Sequence, residues 1–243
     1  MLILTFTGAL FINSCGSQKG NRITVLAAAG LKEPMTQLVE QYKKEHPKSD
    51  LILVLGGSGD LLAMLKNGKG DLYIPASDYY MKRAVGLKLV DPQTVKVVAY
   101  HVPVLVVRKD KATQIKTFKD LINADLRIGL GDSKAAAIGK LSDEILNRTG
   151  IYQKVLPKIV VRTPTVNQLL VYLKTGQIDA AIVWKELTPL LGRDFIVIPI
   201  GGDFYRKVTA GVTTFSKNRK GALDFENFLI EHRNTFQRAG FSK

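Results

Sequence analysis

A chain of 243 residues with 46% apolar and 23% charged side chains is long enough for one large domain or two lobes, and is too apolar for a disordered protein. Its excess of 35 Lys and Arg over 21 Asp and Glu favours anionic partners, yet the basic residues form no arm or tail and a single Trp is present, which argues against a nucleic-acid module. One cysteine rules out an internal disulfide, the three histidines (His46, His101, His232) lack metal-ligand spacing, and no serine or cysteine stands in a nucleophile-elbow pattern.

In chain order, residues 1–12, MLILTFTGALFI, are apolar and uncharged, with the length of a signal-peptide core rather than a membrane span. Ile12-Asn13-Ser14-Cys15-Gly16 follows, then a polar stretch from Ser17 to Asn21. The pattern resembles a bacterial lipobox. That resemblance implies a signal peptide over 1–14, a lipidated Cys15, and a linker over 15–21 tethering the rest to a membrane. No charged n-region precedes the apolar run.

From residue 22 strands and helices alternate. Ile23–Ala29 is a short apolar run closed by Gly30, and Leu31, Met35, Leu38, Val39 and Tyr42 recur at helical spacing over 31–45. A strand over 51–55 is broken by Gly56-Gly57-Ser58-Gly59, and a helix over 60–67 follows, for which Ser58 could serve as N-cap. A strand over 71–76 precedes Ser77 and Asp78, candidate caps of the next helix, and the Val-rich stretch 94–108 reads as one long extended segment. A second series then begins: strand 126–130, helix 138–147, strand 159–162, helix 166–174, strand 178–184 and strand 195–200. Residues 205–215 are extended again, and one closing helix spans about 222–239. Such alternation predicts parallel sheets covered on both faces. Two series joined by two extended segments predict an α/β chain of two lobes, 22–100 plus 205–243 and 101–204.

The turns after the strands are more specific. The strings ITVLAAAGL (23–31), GGSGDLLAML (56–65), GDLYIPASDYYMKRAV (70–85), VVAYHVPVLVVRKD (97–110), LRIGLGDSKAAAIGKLSDEIL (126–146), PTVNQLLVYLKTGQIDAAIVW (164–184) and RAGF (238–241) come in order over nearly all of 22–243. Together they resemble the molybdate- and tungstate-binding proteins of ABC importers. The resemblance implies a type II periplasmic-binding-protein fold, each lobe a mostly parallel sheet flanked by helices, with the ligand in the cleft between lobes. It also implies capture of molybdate or tungstate, an ABC permease as partner, no cofactor, no catalysis and a monomer. The metal would be bound as an oxyanion and not as a cation. The location implied is the bacterial periplasm or the outer face of the cytoplasmic membrane.

Backbone N–H groups at helix starts, together with hydroxyls, can hold a tetrahedral dianion without cationic side chains. Carried over from the family, the contacts fall on Gly30, Ser58, Ile138, Val166 and Trp184, with Gly139 and Thr165 as one-residue register alternatives. Many members carry Ser where Gly30 stands, and Tyr is common where Trp184 stands. Asp60, two residues beyond Ser58, would repel a dianion unless it points to solvent or serves the helix start. Another small anion on the same fold, or a sensory domain, are the competing readings.

Overall fold

The computed structural model describes residues 22–113 and 115–242; the signal-peptide, linker and Cys15 readings lie outside them. The first run of elements is β1 (Arg22–Ala28), α1 (Lys32–Glu45), β2 (Asp50–Gly56), α2 (Ser58–Lys66), β3 (Leu72–Ile74), α3 (Asp78–Gly86) and β4 (Lys96–His101). The second is β5 (Pro103–Arg108), β6 (Ile128–Gly131), α4 (Ala137–Arg148), α5 (Tyr152–Val155), β7 (Ile159–Thr163), α6 (Val166–Lys174), β8 (Ala180–Trp184) and β9 (Phe195–Pro199). The chain then returns through β10 (Arg206–Val212), α7 (Arg219–Glu231) and α8 (Asn234–Arg238).

Two five-stranded sheets result, ordered β2-β1-β3-β10-β4 and β7-β6-β8-β5-β9. In the first, β1 runs parallel to β2 and β3, and β10 runs antiparallel to β3 and β4. In the second, β6 runs parallel to β7 and β8, and β5 runs antiparallel to β8 and β9. The order of pairing is the same in both, so the chain is a two-lobed α/β protein. Every residue of β3 and β8 is buried, as expected of strands covered on both faces. Helix α1 turns Met35, Leu38, Val39 and Tyr42 inward. Full burial of Met35 and Leu38 contributes roughly 1.5–3 kcal/mol each. Among the described residues no helix is long and apolar enough to cross a membrane.

The structure differs from the sequence pattern at three places. The stretch 94–108 is two strands in two sheets: His101 pairs with Arg206 in the first, and Pro103 pairs with Trp184 in the second. The chain passes between lobes at Val102. Extended residues on both sides hide that change of partner, because each half keeps the same Val-rich pattern. The closing helix is broken after Glu231. There the His232 ring engages the Phe228 carbonyl and Arg233 Nε donates to the Ile230 carbonyl, so side chains take acceptors at the helix end. Finally, α2 starts at Ser58 with Gly57 as its N-cap.

Candidate functional site

The parallel strands of both sheets point their carboxyl ends at one another, and the turns that follow them meet. They enclose a cavity of about 20 Å³. That is slightly more than the roughly 10–15 Å³ needed to admit one water, so the space between the lobes is compact in this arrangement. Gly30, Ser58, Ile138, Val166 and Trp184 all line it, along with Ala137 and Thr165. No charged side chain does.

Each turn brings donors for a local reason. After β1 the chain makes a short 3-10 turn over Ala29–Leu31 before α1, which puts the Gly30 peptide on the wall. A Cβ at Gly30 would stand 3.3 Å from Trp184 Cδ1 and 3.4 Å from Val166 Cγ1. Glycine and tryptophan at these two positions are therefore one arrangement: the indole fills space that a side chain at 30 would need.

After β2, Ser58 is the first residue of α2 and is buried. Its side chain makes no cap bond, so the capping role considered from sequence is not the one it has. Its Oγ accepts the Ala76 N–H at 3.1 Å, and its carbonyl accepts the Tyr73 hydroxyl at 2.8 Å. With Oγ already accepting, the Ser58 hydroxyl proton is left to be donated. Asp60 is exposed at the third position of the helix and does not line the cavity. A carboxylate there favours the helix N-terminus, so it serves α2.

In the second lobe, Asp132 organises the turn after β6. Its Oδ1 accepts the N–H groups of Lys134 at 2.7 Å and Ala135 at 2.9 Å, and its carbonyl accepts that of Ala136 at 2.8 Å. These bonds, Ala135 first, hold the Asp132 carboxyl below the usual carboxylate range against the opposing effect of burial. The next two amides, Ala137 and Ile138, have no protein acceptor among the described residues. Gly139 lies off the cavity: its N–H goes to the Ala136 carbonyl, and a Cβ there would overlap the Gly131 carbonyl oxygen. After β7, Thr165 is the N-cap of α6 and its Oγ1 accepts the Gln168 N–H, which leaves the Val166 N–H as the donor of that turn.

Trp184 ends β8, is 1% exposed and lines the cavity, with an indole N–H that can only donate. The indole stacks on the His101 ring, centroids 4.4 Å apart and planes 13° from parallel. His101 is fully buried, and its Nδ1 pairs with Glu186 Oε1. Nothing in the sequence pattern marks this support; His101 reads as one strand residue among many.

Contacts also cross the cleft. The Gly59 N–H donates to the Ala135 carbonyl at 2.7 Å, and Asn167 Nδ2 donates to the Ala29 carbonyl at 3.0 Å. Tyr80 Oη donates toward the Lys134 and Ser133 carbonyls at 3.1 and 3.3 Å. Burial, followed by the neighbouring Tyr79, pushes the Tyr80 phenol up to about 12, so it stays a donor at neutral pH.

The result is a cage of neutral donors: amides from four turns, the hydroxyls of Ser58 and Thr165, and one indole N–H. Such a cage can hold a small anion. Among the described residues no cluster of His, Cys, Asp and Glu could hold a metal cation.

Known proteins share this sequence and geometry. A Haemophilus influenzae protein named only as a binding protein is 36% identical over 84% of this chain and 82% of its own length. The molybdate-binding protein of Escherichia coli is 30% identical over 57% of this chain and 56% of its own. The periplasmic molybdate-binding protein of Azotobacter vinelandii superposes with a TM-score of 0.78, covering 91% of this chain and 99% of that one at 16% identity. The family described as bacterial extracellular solute-binding protein matches residues 23–242. With its two matched sheets and its donor-lined cleft, the chain belongs to the bacterial extracellular solute-binding proteins.

Proposed function

We propose that this protein captures a tetrahedral oxyanion, molybdate or tungstate, and delivers it to the permease of an ABC importer. The carrying observation is the cavity wall itself: donors converge from both lobes, and no charged side chain lines the space. Helix-start amides favour negative charge, and a dianion can be shared among them without a salt bridge. Gly30, Ser58, Ile138, Val166 and Trp184 are the residues to which we assign the ligand, with Ala137 as a sixth donor. The relative named for molybdate supports this choice of anion.

We extend the reading to the rest of the chain. The lobes are 22–100 plus 205–243 and 101–204, with His101, which closes β4 in the first sheet, moved to the first; the protein acts as a monomer without cofactor or catalysis, and Cys15 carries a lipid anchor. Sodium molybdate, tungstate, sulfate and phosphate added singly in a thermal-shift series test the function. Only a bound anion raises Tm by mass action, so molybdate and tungstate should give the largest shifts. No shift with any of the four would overturn the reading. Partition into the detergent phase, lost in Cys15→Ser, tests the anchor.

A further inference from the structure

The turn between β6 and α4 uses the two sides of its peptide groups differently. Its amides fold back on Asp132, and the next two, Ala137 and Ile138, reach the cavity wall. Its carbonyls face the other lobe. Ala135 O accepts from Gly59 N–H, and Lys134 O and Ser133 O accept from the Tyr80 hydroxyl. Neither Gly59 nor Tyr80 lines the cavity.

Gly59 is the informative position. It is the second residue of a nine-residue helix, where alanine is the better helix former. A Cβ at Gly59 would overlap the Lys134 carbonyl oxygen and stand 2.9 Å from Lys134 C and 3.0 Å from Ala135 Cα. All three atoms belong to the opposite lobe. The helix does not call for glycine here; the approach of the second lobe does. Gly57 is similarly crowded, since a Cβ there would stand 2.5 Å from Pro164 O and 2.7 Å from Ala135 O, but it also lines the cavity and caps α2.

We propose that Gly59 and Tyr80 form a closure latch that receives the carbonyls of 133–135 and sets the affinity for the oxyanion without touching it. The proposal rests on the oxyanion-capture reading. Apparent affinity scales with the fraction of molecules in the closed, binding-competent arrangement. Contacts made only in that arrangement raise the fraction, and removing them lowers it. One turn offers carbonyls to the first lobe and amides to the anion, so seating either side positions the other.

The test uses the full chain as wild type, Gly59→Ala and Tyr80→Phe, with molybdate binding read by calorimetry and compaction by small-angle X-ray scattering. Gly59→Ala should bind at least about tenfold more weakly and fail to compact with molybdate. Tyr80→Phe keeps the ring and should bind about three- to tenfold more weakly. If Gly59→Ala does not fold, Tyr80→Phe carries the test. Variants that bind and compact like a wild type that binds molybdate would overturn the latch and leave the oxyanion reading intact. If wild type binds none of molybdate, tungstate, sulfate and phosphate, the oxyanion reading falls, and scattering of the unliganded proteins decides the latch. A more expanded Gly59→Ala supports it, and identical dimensions overturn it.

Discussion

In the first lobe the turns after β1 and β2 present glycine and serine to the cavity; in the second, the turns after β6 and β7 and the end of β8 present Ile138, Val166 and Trp184. Strand order is the same in both sheets, so the amides arrive by the same route in each lobe. The side chains do not. The first lobe supplies backbone and the Ser58 hydroxyl, and the second supplies backbone, the Thr165 hydroxyl and an otherwise apolar wall that ends in one indole N–H. Topology thus provides a cage that any small anion could enter, while the choice among anions falls to a few side chains: Ser58 on one wall, and the Gly30–Trp184 fit where the walls meet.

The contrast is broken most directly at Ser58. Ser58→Ala should weaken molybdate binding by about 1.5–3 kcal/mol, the range for a hydrogen bond to a charged group. Equal affinities by calorimetry would mean that the first lobe grips through backbone alone. A second expectation concerns the ligand's own protons. The described wall offers mainly donors, and its two hydroxyl oxygens, Ser58 Oγ and Thr165 Oγ1, each already accept one backbone N–H, so an anion that keeps an O–H is served less well than one that only accepts. Hydrogenphosphate and hydrogenarsenate should compete with molybdate more weakly than fully deprotonated anions of similar size, by about 1–3 kcal/mol for the unpaired group. Competition as strong as that of tungstate would put an acceptor in the cage.

On the other wall, Trp184→Phe should cost about 1–2 kcal/mol of binding, and Trp184→Tyr should recover part of it by restoring a donor. Gly30→Ser alone forces the indole aside, whereas Gly30→Ser with Trp184→Tyr removes the crowding. The two changes should therefore be non-additive, with a coupling of about 0.5–3 kcal/mol in a double-mutant cycle. Trp184 is the sole tryptophan of the chain, so its fluorescence should respond to molybdate. A silent signal during proven binding takes it out of the site.

The smallest effect belongs to Asp132. Its folded carboxyl lies below its ordinary value of 3.8, so its stabilising effect is present above that value and is lost as pH falls through the lower folded one. Asp132→Asn should have a lower Tm than wild type at neutral pH, and the gap should close on acidification below about pH 4. A gap independent of pH would show that the turn is held by shape and not by charge.

The alternation of elements was readable because apolar runs of strand length and apolar spacing of helix length are local signals. What failed was non-local. Residues 94–108 keep one extended pattern while changing sheets at Val102, and no single residue announces the change. Ser58 looks like a cap because serine near a helix start commonly is one, but Gly57 takes that place and Tyr73 and Ala76 hold the serine. Asp132 could have been found, since an aspartate before a helix start is a recognisable turn organiser. His101, Glu186 and Tyr80 could not: their roles depend on partners 85 residues away for the first pair and 53 or 54 away for Tyr80.

The position of β10 has a consequence for the order of assembly. It lies between β3 and β4 in the first sheet, although it is the last strand among the described residues. The second sheet draws all five strands from the uninterrupted span 103–199. A chain synthesised from its N-terminus can thus complete the later lobe while the earlier one still has a gap between β3 and β4. The first sheet closes only when Arg206–Val212 arrives, so the lobe that begins first finishes last.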